Sequence, residues 1–325
     1  MKNLKNTLGT LLMTALVLAS CTKNDGIDVP VRPSAQEFTM IKQLTLDGKK
    51  QEFQFNAEDG VTTLTSEKGV TIIIDGSCLT LNGSAVTGTV DLEYVELFDK
   101  GDMLTTNKPT MGMMPNGDKA MLISGGEFLV EVSQNGAALE TNCDFQLIIP
   151  ASLTGAEDNN MILWKGIIDG DDNLAWEEVE DNGGANGNRG VFAEGGAYYT
   201  FAGEFGWTNV DRFYNDPRPK TTILIDVPEG YDNENSAVYL SYDGEGPALA
   251  QMDTYDSVTG FFSEHYGQIP IGLECHVIFI SEENDNFKYA IKGITIVEND
   301  VINITDDEIA IATEAQLTQL MNDLP

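Results

Sequence analysis

Histidine is nearly absent from this chain of 325 residues, with two copies, and tryptophan and cysteine are scarce, with three and four. His265 and His276 leave little material for acid–base work near neutral pH, where imidazole is the side chain that titrates without help. No G-x-S-x-G elbow, H-E-x-x-H pair, P-loop or G-x-G-x-x-G fingerprint stands in a strand–turn–helix setting. No cysteine lies in a C-x-x-C pair, which removes the usual sequence support for a redox or zinc site. Positive charge is short too: 18 Lys and Arg face 52 Asp and Glu, for a net charge of −34. Such a field repels phosphate, so nucleic acid and anionic lipid headgroups are not expected partners. With 52 acids, carboxylate pairs of the glycosidase kind arise everywhere and single out none. The chain is therefore expected not to be an enzyme.

What is present begins at the amino end. Lys2 and Lys5 precede an apolar stretch, Leu8 to Leu18, that is too short for an ordinary spanning helix. It ends in Leu18-Ala19-Ser20-Cys21, which resembles the lipobox of bacterial lipoproteins. That resemblance implies removal of residues 1–20, a diacylglycerol on the Cys21 sulfur and acylation of the new amino terminus. Three chains hold a protein to a bilayer firmly, where a single myristoyl chain holds it marginally. Residues 21–35 are polar and contain Pro30 and Pro33, the composition of a tether. With Cys21 assigned to lipid, Cys78, Cys143 and Cys275 remain, an odd number. Cys78 and Cys143 could pair, but spacing fixes no distance, and buried free thiols are the expectation for all three.

Elsewhere the hydrophobic period is two. Val90, Leu92 and Tyr94 alternate with Asp91 and Glu93; Phe128, Val130 and Val132 alternate with Leu129 and Glu131. Ile223, Ile225 and Val227 repeat the pattern, as do Val238, Leu240 and Tyr242. Many short strands between Gly, Asn and Asp clusters predict an all-β fold of sandwich type. One segment differs: over 313–324, Leu317, Leu320, Met321 and Leu324 share a helical face, and Thr313 with Gln316 forms a capping box. Asn215 to Lys220, with two prolines before a fresh apolar strand, marks a boundary. The expected architecture is two Ig-like β-sandwich domains in tandem, 36–215 and 216–325, with a short C-terminal α-helix.

The span "KGVTIIIDGSCLTLNGSAVTGTVDLEYVELFDKGDML" is followed by a G-G-x-F-x-V-E-x-x-x-N-G stretch running from Gly125 to Gly136. Trp207, Asn209, Asp211, Arg212 and Phe213 then spell W-x-N-x-D-R-F. Together these resemble an uncharacterised Bacteroidetes lipoprotein family whose β-sandwich module is similar to that shared by ankyrins and zonula occludens proteins. The likeness covers residues 65–215. Asp75-Gly76 stands where the module has Pro-Ala, and Val210 where it has a cysteine. The resemblance implies an outer-membrane lipoprotein and protein contacts, and carries over no catalytic residue. Whether the protein faces the periplasm or the cell surface is left open.

Three further clusters invite chemistry. Trp207, Asn209, Asp211, Arg212, Phe213 and Tyr214 could stack on and bind a sugar ring, or could fix a junction beside the Pro-Arg-Pro bend. The junction is the expected role. Asp169, Asp171, Asn173 and Glu180 hold positions 1, 3, 5 and 12 of an EF-hand loop, with oxygens suited to Ca²⁺. Leu174 replaces the turn glycine and the flanks do not read as helices, so an acidic hairpin turn is expected, with Ca²⁺ as the alternative. Asp256-Ser257-Val258 resembles the acceptor for O-glycosylation in Bacteroidetes, at Ser257. The function expected is a lipid-anchored, non-enzymatic binding or assembly module of the cell envelope, with a protein or glycan partner. The alternative is a carbohydrate-binding lipoprotein, with or without glycosidase activity.

Overall fold

A computed structural model describes residues 32–168, 174–179, 190–264 and 266–325. The signal, Cys21 and residues 21–31 of the expected tether lie outside the described residues, as do Asp169, Asp171, Asn173 and Glu180. Arg32 to Pro325 form one compact, all-β unit of several sheets with three α-helices among the described residues. Each sheet is built either from strands ending by Phe213 or from strands beginning at Lys220.

In the first set, a large sheet runs in the order 51–56, 89–97, 119–134, 206–213, 162–168, 174–178, 111–113. A second sheet, in the order 190–194, 197–202, 145–150, 71–75, 61–65, supplies further apolar side chains to the same core. Ile72, Ile74, Leu147 and Ile149 from this sheet join Val90, Leu92, Tyr94, Phe128, Val130 and Val132. Period-two alternation makes this possible, because alternate side chains of a strand leave on one face.

The large sheet also closes on itself. The 111–113 strand pairs parallel with 174–178 through Trp176 and Gly112, and antiparallel with 119–134 from Met111 to Met113. Strands 119–134, 206–213, 162–168, 174–178 and 111–113 therefore form a five-stranded barrel. A barrel this small is filled by side chains. Leu122, Trp164, Leu174 and Trp176 form its buried cluster, with Ile162, Trp207 and Phe213 packed against them. The indoles are not left polar: Trp164 Nε1 donates to Asp211 O at 2.9 Å and Trp176 Nε1 to Pro109 O at 3.0 Å. Gly166 is required here, since a Cβ at that position would stand 2.5 Å from the Cβ of Trp207.

In the second set, strands 250–251, 236–242, 274–283, 286–295 and 310–312 form one sheet, and 254–256, 261–263, 224–226 and 301–303 another. Both faces of the 236–242 strand are buried. Val238 and Leu240 share a core with Ile225 and Phe262. Ala237 and Tyr239 lie in a second cluster with the helices. Helix α1 (Ala35–Gly48) contributes Phe38, Ile41 and Leu46; α2 (Lys100–Thr105) contributes Met103 and Leu104; α3 (Glu314–Asn322) contributes Leu317 and Met321. Val95, Leu97 and Leu129 enter the same cluster, so this seam joins both strand sets. Backbone bonds stitch it further, from Ser124 N to Pro247 O and from Thr110 N to Leu249 O, each 2.9 Å.

The terminal helix has the expected capping box between Thr313 and Gln316. Helix α1 departs from the expectation of a β-domain starting at 36; Ser34 and Glu37 cap it reciprocally, and its apolar side fills the seam. The thiol expectation is corrected in part. Cys78 and Cys143 form a disulfide, their Cα atoms 5.7 Å apart, because the 140–141 and 79–81 strands pair and bring the two residues together. Cys275 is free and buried.

Candidate functional site

The W-x-N-x-D-R-F residues form an interior barrel strand, 206–213, between 119–134 and 162–168. Its register against 119–134 shifts between Asn209 and Asp211, opposite Gly125 and Gly126. Gly126 sits at φ 129°, and a Cβ there would come within 2.6 Å of Phe128 and 2.7 Å of Phe98. A bulge of this kind re-aims the side chains beside it. Here it places polar groups on the face that carries Leu129 and Trp207.

Glu127 stands directly opposite Asn209 in the strand pairing, and both are fully buried, as is Asp211. Asn209 Nδ2 donates to Asp211 Oδ2 at 2.6 Å, and Ser124 Oγ to Asn209 Oδ1 at 3.4 Å. Gly126 N donates to Ser124 Oγ at 2.9 Å. Both Glu127 carboxylate oxygens and Asp211 Oδ1 are buried with no hydrogen-bond partner. Burial pushes the Glu127 carboxyl well above the usual range, and the negative Asp211 adds to that, while Lys108 opposes it. Burial likewise pushes Asp211 well up, against the pull of donors on Ser124 and Asn209. The Lys108 ammonium lies 5.5 Å from the Trp207 ring centroid.

The other residues of the motif serve packing and ion pairing. Trp207 is half-buried and meets Trp176 edge-on at 6.4 Å; Phe213 meets Trp164 edge-on at 5.2 Å. Arg212 pairs with Asp158, Nε to Oδ2 at 2.6 Å, and not with Asp211. Tyr214 meets Tyr242 of the second strand set edge-on at 5.3 Å. The six side chains thus separate into a buried polar pair, Asn209 and Asp211, and several packing and ion-pair contacts. Ser257 is exposed in the turn between 254–256 and 261–263, where Asp256 accepts from Val258 N and the Thr259 hydroxyl.

One further grouping has the residue types of a nucleophilic triad. Ser241 is the cross-strand partner of His276, whose Nδ1 lies 2.8 Å from Asp243 Oδ1. The ring, however, turns Nε2 toward Gly293, on the strand that flanks His276 opposite Ser241. The nitrogen that would take a serine proton therefore points away from the hydroxyl, and the trio lacks triad geometry. His265 lies outside the described residues.

A cleft of about 50 Å³ is lined by Phe38, Lys42, Asn107, Gln251, Asp253 and Thr254 among others, far below the several hundred Å³ of a small-molecule pocket. Among the described residues no group of three or more His, Cys, Asp or Glu side chains gathers as a metal centre. No family model matches the chain, and no curated protein does.

Sequence reasoning singled out Asn209 and Asp211 but missed Glu127, which shares a strand with alternating apolar residues. The available signal was Gly125-Gly126, a pair whose place inside a strand pattern marks a bulge.

Proposed function

We propose that this chain is a lipid-anchored cell-envelope protein in which two Ig-like β-sandwiches act as a non-enzymatic binding or assembly module. The observation that carries the reading is the run from Lys2 through Leu18-Ala19-Ser20-Cys21, a charged start, a short apolar stretch and a lipobox-like end. Binding by surface rather than by cavity is supported by the small clefts and by one sheet edge. The 61–65 strand, Val-Thr-Thr-Leu-Thr, pairs on one side with 71–75 and ends its sheet. It carries no charge, and Val61 is 65% exposed. Charges or prolines ordinarily blunt such an edge; an uncharged one suits addition of a partner's strand.

The test is lipidation in cells. The wild-type chain is expected to take up labelled palmitate and to pellet with membranes, while Cys21→Ala does neither. Equal labelling and equal fractionation of the two would remove the anchored reading.

A further inference from the structure

Inside the barrel, two buried carboxyls, Glu127 and Asp211, are faced by one cation, Lys108. Two acidic side chains, Glu127 and Asp211, are fully buried, and three of their four oxygens have no hydrogen-bond partner. A buried carboxylate in that position must be neutralised by a proton or balanced by a cation. Cross-strand side chains start about 5 Å apart at Cβ, which puts the Glu127 carboxylate within reach of the Asn209 amide. Asn209 commits its nitrogen to Asp211 Oδ2, leaving its oxygen beside Ser124 Oγ. The atoms left are therefore oxygens, both of Glu127 and Oδ1 of Asp211, with Asn209 Oδ1 engaged by the 3.4 Å contact from Ser124.

We propose that Glu127, Asp211 and Asn209 form a binding site for a hard divalent cation, Ca²⁺, between the 119–134 and 206–213 strands. Oxygen-only donors exclude the softer metals that take His or Cys. Two carboxylates match a double positive charge, and the Lys108 ammonium, held near Trp207, supplies one charge against two. Ca²⁺ fits better than Mg²⁺, because it accepts a bidentate glutamate and an irregular shell, whereas Mg²⁺ demands an octahedron and keeps its waters. Ser124 Oγ, fixed by the Gly126 N–H, is the neutral oxygen nearest to completing the set. The ion would lock the 119–134 and 206–213 strands at their bulge, a structural role and not a catalytic one.

Melting of the full chain after chelation, and again with millimolar Ca²⁺ or Mg²⁺, tests the site. Wild type is expected to gain about 5 °C with Ca²⁺ and less with Mg²⁺. Glu127→Gln, which keeps the shape and removes a charge, is expected to lose that gain. Asp171→Asn, in the acidic loop with EF-hand spacing, is expected to keep it. No gain in wild type, a gain that persists in Glu127→Gln, or a gain lost in Asp171→Asn overturns the proposal. Should Glu127→Gln fail to fold, calcium content decides: one bound ion retained by Asp171→Asn after dialysis supports the site, and none overturns it.

Discussion

Two buried polar side chains of the C-terminal half find partners: Ser281 Oγ donates to Asn235 O at 2.7 Å, and Glu264 accepts the Gly267 N–H at 3.2 Å. In the barrel, Glu127 has the same chemistry as Glu264 and comparable burial but no such donors. The difference separates two uses of a buried carboxylate. One ties down a loop and belongs to the fold; the other leaves negative charge for something else to balance. The barrel half also carries the disulfide and two fully buried tryptophans, while the C-terminal half keeps Cys275 as a free thiol. The two tryptophans pack inside the barrel, while the disulfide ties the 79–81 and 140–141 strands in a separate sheet.

The comparison can be broken most severely at the barrel plug. Trp176→Ala empties the five-stranded ring and leaves Pro109 O without its donor, at an expected cost of about 3–5 kcal/mol in urea unfolding. A loss under 1 kcal/mol would show that the ring does not depend on its tryptophan. Removing the disulfide with Cys78→Ser and Cys143→Ser together should cost about 2–4 kcal/mol, and Cys275→Ala distinctly less. Equal losses would erase the contrast in reinforcement between the halves. A further test sharpens the contrast through pH. Burial raises Glu264 from 4.5 to about 8, so the folded state holds a proton that the unfolded state releases. That contribution is whole below pH 4.5 and declines up to about pH 8. Glu264→Gln should therefore flatten the urea midpoint between pH 5 and 8, and an unchanged slope would assign it to another group.

Strand content was legible because alternation such as Val90-Leu92-Tyr94, with Asp91 and Glu93 between, directly states which face is buried. The terminal helix was legible from Thr313 and Gln316, whose capping box is entirely local. Helix α1 had the same kind of signal in Ser34 and Glu37, but its stripe is blurred: Met40 and Leu44 are 51% and 59% exposed, while Thr45 is buried. The closing barrel strand was illegible for a different reason. Met111 to Met113 is three residues long and meets its parallel neighbour through one pair, so its place depends on strands more than fifty residues away. Of the candidate site, Asn209 and Asp211 stood out as unusual in an apolar strand. Glu127 did not, since Glu131 lies on the same strand face and is exposed, so alternation alone does not separate the two.

Arg32, the first described residue, gives the fold a mechanical polarity. Its guanidinium lies 4.2 Å over the Tyr231 ring, pairs with Asp306 at 2.8 Å and donates to Glu229 O at 3.1 Å. A pull on the amino end is therefore met first by the C-terminal sheets, through residues about 200 to 270 positions further along the chain. Only when that clasp slips does tension reach α1 and peel it from the seam. The barrel strands make none of these contacts.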